Sequence, residues 1–237
     1  MALVSPTFIG MQRLVDVCHV AAMKEDLIFN PLKSSLLVLG KRKSAESGQI
    51  LKMNNETVSN AKQVKYLGSL LRNDLKDDDD IMRVCRYVYA LGNSLIKGFG
   101  MCSKGVKIKL FKVYMYQMYG VGIWARCKAT TLRKLNVAYN TMFRKLLNIP
   151  RFKDGVNYSA RGTFVSNRTH SFNERVRKSM YIIMIRLRTS DNTITKAITH
   201  YSDTPLYSPI YKNWRRSLYI SYRDASCVMC CMLLATI

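Results

Sequence analysis

Four consecutive carboxylates, Asp77 to Asp80, are the residues in this 237-residue chain whose type and spacing first suggest chemistry. Acidic clusters hold divalent metal where two ions about 4 Å apart are gripped by carboxylates, usually from different strands. Neighbours on one helical turn instead point at successive steps of about 100°, so only Asp77 and Asp80 share a face. The run therefore reads as an N-cap and a negative first turn. Each carboxylate there gains about 0.3–1 kcal/mol from the helix dipole. A helix starting at the aspartates, and no metal, is the expectation.

The other metal-capable residues are dispersed. The cysteines are Cys18, Cys85, Cys102, Cys127, Cys227, Cys230 and Cys231. Their odd number and the lack of a signal-peptide pattern predict a reducing, intracellular setting, nucleus or cytoplasm. Cys227-x-x-Cys230 has no second Cys/His pair at zinc-finger spacing, and His19, His170 and His200 lie far from it in sequence. The terminal run ASCVMCCMLLATI is too short to span a bilayer.

Charge points more firmly to a partner. The formal net charge is +23, and hydrophobic residues make up 48%, enough to build a core. Residues 1–80 hold 11 Lys+Arg against 10 Asp+Glu, a net of +1, whereas residues 81–237 hold 27 against 5, a net of +22. A folded region that basic repels itself unless a polyanion neutralises it. Nucleic acid is the partner this implies first, and an acidic protein or membrane surface second.

The elements that must position these charges follow from periodicity. Residues 8–24 read as an amphipathic helix through Met11, Leu14, Val15, Cys18 and Ala22, after the start signal Ser5-Pro6-Thr7. Ser35–Gly40 reads as a buried strand, Lys41–Gln49 as a polar loop, and Ile50–Asn60 as a hairpin around Asn54-Asn55. Val64–Leu71 reads as a strand pair or bulged strand bent at Gly68.

After the aspartates the pattern turns helical. Helices are predicted at 79–98, at 104–119 behind Ser103, and at 131–148 behind Thr130 or Thr131. A loop at 150–162 precedes a fourth helix opened by the capping box Ser171-x-x-Glu174, with Phe172, Val176, Met180, Ile183 and Leu187 as its stripe. Beyond Asp191 come short helical pieces broken by Pro205 and Pro209. The predicted class is α+β: a small α/β layer at 1–76, then a basic all-α bundle.

The third bundle helix is the most clearly two-sided. Leu132, Leu135, Tyr139, Met142, Phe143 and Leu146 share one face; Arg133, Lys134, Asn140, Arg144 and Lys145 share the other. With Lys104, Lys107, Lys109 and Lys112 of the preceding helix, these cations are the candidate phosphate contacts, giving affinity with little sequence preference. Tyr114, Tyr116, Tyr119 and Trp124 are candidate stacking groups, though most are expected to fill the bundle core.

In order, FNPLKSSLLVLGKRK, VKYLGSLL, MYQMYGVGIW and RKLNVAYNTMFRKLLNIP closely resemble the reverse transcriptase of non-LTR (LINE-type) retrotransposons over residues 1–150. YSARGTFVSNRTHSFNERVRKSMY through SPIYKNW resembles the C-terminal extension of some such elements. The resemblance implies the C-terminal part of a palm at 1–76, a helical thumb at 77–150 and a basic helical extension at 151–237. It implies an RNA template and DNA primer, or an RNA–DNA hybrid, as partner, and no membrane.

The resemblance also assigns roles. Lys33 matches the lysine of an Asn-Pro-x-Lys strand, a weak candidate general acid toward pyrophosphate; in this chain an exposed strand-edge lysine is the expectation. Tyr66, Leu67 and Gly68 match a hairpin beside the primer 3′ end. The family's catalytic Tyr-x-Asp-Asp turn is absent from the sequence. MALVSP resembles the residues that follow that turn, so Met1 is expected to be an internal methionine of a longer ancestral frame. Mg²⁺ is implied for the intact enzyme and no cofactor for this chain, which is expected to bind nucleic acid without polymerising it. The alternatives are a degenerate retroelement relic without function and a basic helical interaction protein.

Overall fold

The computed structural model describes residues 1–40, 50–116, 118, 120–153, 155–157 and 159–196. The expected loop Lys41–Gln49, Tyr119, the pieces around Pro205 and Pro209, and the cysteines from Cys227 onward lie outside the described residues. The chain is α+β and mostly helical, with short two-stranded sheets. It divides into two compact units between Lys76 and Asp77.

The first unit opens with helix α1 (Phe8–Lys24), whose N-cap Thr7 accepts a hydrogen bond from Gly10 N. Val15 packs with Leu51 and Val58 in a small core that Leu3, Phe8, Met11, Leu36 and Met53 border. Gln12 ties the helix to the chain beside it: its amide donates to Lys52 O at 2.8 Å and accepts from Lys52 N at 3.0 Å. On the opposite side of α1, Ile9, Val17, Val20 and Met23 are exposed.

The strands are short. The expected strand at 35–40 reduces to β1 (Ser35–Leu36), paired in parallel with β4 (Ser59–Asn60). A parallel pair has no hairpin to extend it, and β1 continues into a chain whose Gly40 N bonds Asn73 O instead. Between them, β2 (Lys52–Met53) and β3 (Glu56–Thr57) form the predicted hairpin. Asn54 and Asn55 both take positive φ, +54° and +61°, as a type I′ turn requires. β5 (Gln63–Tyr66) and β6 (Ser69–Arg72) form a second hairpin turning through Leu67 at φ +44° and Gly68 at +82°.

The second unit begins with α2 (Asp78–Phe99), with Asp77 at its N-cap position and Asp78, Asp79 and Asp80 in its first turn. It continues through α3 (Lys104–Met115), α4 (Ala129–Leu146), a hairpin of β7 (Phe152–Lys153) and β8 (Val156–Asn157), α5 (Ala160–Ser166) and α6 (Phe172–Arg188). The expected loop at 150–162 thus holds a two-stranded hairpin, turning at Gly155 with φ +74°, and the start of α5, capped by Ser159. The capping box of α6 is present: Glu174 Oε2 accepts from Ser171 N at 2.7 Å, and Ser171 Oγ from Glu174 N at 3.4 Å.

The core of this unit is the seam between α2 and α4. Ile81, Val84, Cys85, Val88 and Leu95 meet Leu135, Ala138, Tyr139, Met142 and Phe143. Gly92 permits the close approach, since a Cβ there would lie 3.0 Å from Met142 Cβ and 2.7 Å from its Cγ. Aromatic rings close one side: Phe143 stacks on Phe164 at 4.5 Å, and Phe111 meets Tyr139 edge-on at 5.0 Å.

Candidate nucleic-acid interface

Burying one face of α4 commits the opposite face to solvent. Arg133, Lys134 and Lys145 are exposed on it, and Arg144 is half-buried beside them. On α3, Lys104 and Lys109 are exposed and Lys112 is half-buried. Lys107 departs from its expected place in this row: it is only 7% exposed. It lies four residues before Phe111 and eight before Met115, both buried, so its methylene stem runs along the core stripe of α3. The spacing of four was the available signal. From Ile81 to Lys153 the sequence holds fifteen Lys+Arg and no Asp or Glu, so no carboxylate within that stretch offsets these cations.

The aspartates stand at the edge of this field. Asp77, Asp78 and Asp80 accept from backbone and side-chain donors far along the chain, and Asp80 also from nearby Arg83. Asp77 Oδ2 accepts from Ala125 N at 2.8 Å and Arg126 N at 2.7 Å. Asp78 Oδ1 accepts from Lys128 N at 3.0 Å. Asp80, 3% exposed, accepts from Trp124 Nε1 at 2.9 Å and pairs with Arg83 at 2.8 Å. The run supplies the negative first turn that was expected, but Asp77 makes no side-chain capping bond to the helix; its carboxylate belongs instead to a clamp on residues 124–128. With Asp77, Asp78 and Asp80 accepting from N–H donors, the run does not fit a pair of divalent ions. Among the described residues no three His, Cys, Asp or Glu gather as a metal site.

The clamp moves an element boundary. Ala125, Arg126 and Lys128 are held by carboxylates, and the Lys128 carbonyl accepts the first helical bond, from Leu132 N at 3.2 Å. Helix α4 therefore starts at Ala129, ahead of the expected Thr130 or Thr131 cap. Helix α3 ends at Met115 rather than 119 because Tyr116 is engaged elsewhere. Its carbonyl accepts from Arg175 at 2.7 Å, its hydroxyl accepts from His170 N at 2.9 Å, and the Arg175 guanidinium lies 4.3 Å from its ring centroid.

The aromatic candidates separate accordingly. Trp124 is buried on Asp80, Tyr116 is half-buried in the network of α6, and Tyr114 is exposed. Tyr139 donates to His170 O at 3.0 Å, and burial pushes its phenol far above the usual range. Burial also raises the Cys85 and Cys127 thiols, the latter further through Asp77 and Asp78, so neither is an activated nucleophile. Burial holds His170 below 6.5, helped by Lys178 and opposed by Glu174.

In the first unit, Lys33 ends a 3-10 turn (Pro31–Lys33) rather than lining a strand edge. Asn30 Oδ1 accepts from both Leu32 N and Lys33 N there, and the Lys33 side chain is exposed. Tyr66, Leu67 and Gly68 form the exposed tip of the β5–β6 hairpin. Sequence reasoning missed Met82 and Tyr89, which flank α4 from α2. Tyr89 lies one turn from Cys85, but only the α2–α4 pairing reveals what it faces. Among the described residues no helix is long and apolar enough to cross a membrane. A scan against family models matched none, and searches of curated proteins and of solved structures returned no match.

Proposed function

We propose that the chain binds nucleic acid through the cations of α3 and α4, as the thumb of a LINE-type reverse transcriptase holds template and primer. In this reading residues 1–76 are the C-terminal part of the palm, 77–150 the thumb and 151–237 a basic extension. The observation that carries it is the solvent face of α4, where Arg133, Lys134 and Lys145 stand exposed opposite the apolar stripe of Leu135, Tyr139, Met142, Phe143 and Leu146, all buried. The basic stretch from Ile81 to Lys153 supports it, as does the ordered resemblance of the four segments named above.

Cations placed this way act by releasing counterions from phosphates, which gives strong salt dependence and weak sequence preference. The chain contributes binding and positioning. The Asp77, Asp78 and Asp80 carboxylates are occupied as a clamp, and the sequence has no Tyr-x-Asp-Asp turn, so no polymerisation step is assigned to it.

A salt titration of binding to an RNA–DNA hybrid tests the proposal. With the five exposed cations Lys104, Lys109, Arg133, Lys134 and Lys145 on phosphates, log K falls against log salt with a slope of about −4.5. No measurable binding at low salt overturns the reading. Primer extension with Mg²⁺ or Mn²⁺ in the same samples is expected to give no product.

A further inference from the structure

Along one flank of the α2–α4 seam lies a groove of about 510 Å³. Its apolar lining is Met82, Cys85 and Val137; Tyr89, 37% exposed, adds an aromatic ring; Arg133 and Lys134 supply charge. No carboxylate lines it. The Cys85 thiol lies 3.9 Å from the Lys134 carbonyl oxygen, tying the two helices together across the groove.

This mixture is selective about its occupant. A hydrophobic peptide would leave Arg133 and Lys134 unanswered. A duplex would present phosphates to them but keep its bases stacked inside, leaving Tyr89, Met82 and Val137 uncovered. A single strand offers both: a flat base to lay on an aromatic ring and an anion a short distance away. We propose that this groove takes an unstacked nucleotide of single-stranded RNA or DNA, with the base against Tyr89 and the adjoining phosphates on Arg133 and Lys134. The proposal rests on the nucleic-acid reading above and narrows it to a strand preference. In this arrangement the cations give affinity for any polyanion, and Tyr89 adds affinity only where a base is free to leave its stack.

The test is fluorescence anisotropy on the full chain, using a labelled oligo-uridine or oligo-thymidine strand and, separately, a labelled hairpin duplex. Expected results are that Tyr89→Ala weakens single-strand binding about tenfold, Tyr89→Phe restores it, and neither moves duplex binding. Val137→Glu, at an exposed position, is expected to weaken single-strand binding more than duplex binding. Circular dichroism confirms folding of each variant. Equal losses on both ligands, or none, overturn the groove proposal while nucleic-acid binding stands. Wild-type binding to the duplex alone also overturns it. Binding to neither ligand overturns both readings.

Discussion

Replacing Asp80 with alanine strips a buried acceptor from two donors at once. Trp124 Nε1–H, inside the core, loses its 2.9 Å partner. A buried donor left unpaired costs about 1–3 kcal/mol. Arg83 loses its ion pair, but its side chain is 30% exposed and water answers part of its charge, so this contributes about 1 kcal/mol. Together about 3 kcal/mol is expected, a large share of the roughly 5–15 kcal/mol that holds a typical domain folded. For an m-value of about 2 kcal/mol per molar urea, the midpoint falls by about 1.5 M. The measurement is urea unfolding followed by far-ultraviolet circular dichroism. Asp80→Asn keeps an acceptor for Trp124 and is expected to lose about 1 kcal/mol. A metal site predicts something else: Mg²⁺ would raise the wild-type midpoint by mass action and the alanine variant would lose that response. An Asp80→Ala midpoint within about 0.3 M of wild type, or a midpoint that climbs with Mg²⁺, refutes the clamp.

Three further outcomes are expected. Gly92→Val drives side-chain atoms into Met142 and is expected to cost about 2 kcal/mol in urea unfolding, with Gly92→Ala costing less because alanine favours the helix. Leu67, 71% exposed with φ +44°, is strained as a branched residue in a left-handed turn; Leu67→Asn is expected to raise amide-exchange protection across the β5–β6 hairpin by about 1 kcal/mol. His170 is held below 6.5 by burial, so at acid pH the unfolded chain binds more protons than the folded one. Stability is therefore lost as pH falls from about 6.5 toward the folded value, and His170→Gln is expected to flatten that part of the pH–stability curve.

Local chemistry made much of this fold legible. Asn54-Asn55 and Gly68 mark hairpins because positive φ demands such residues, and Ser171 with Glu174 announces α6 through bonds within one turn. The aspartates announce α2 for the same reason, since a dipole acts within a turn. What they hold was not legible, because Trp124, Ala125, Arg126 and Lys128 approach them only through tertiary structure. The end of α3 was hidden likewise: Tyr116 leaves the helix for His170 and Arg175, both more than fifty residues on. Of the candidate site, the α4 face was readable because one helix displays both its stripes. Lys107 was misplaced because residue type was weighed above position on the stripe of Phe111 and Met115. The Tyr89 groove needs two helices, and no pattern within either one shows it.

The clamp also has a kinetic consequence. Its bonds to residues 124–128 join positions 44 to 50 apart in sequence, and Gly92 meets Met142 across the same span. Closing a loop of that length carries an entropic cost that local helix formation cannot supply. Once α2 has docked on α4, the ends of that loop are already near each other, and the carboxylates reach their donors with little further ordering. The expectation is that the clamp closes after the seam, as a latch. Asp80→Ala is expected to steepen loss of the native state, raising the unfolding rate in a chevron while leaving the refolding arm nearly in place. The carboxylates that look most like a catalyst in the sequence would thus set how long the helical unit stays shut.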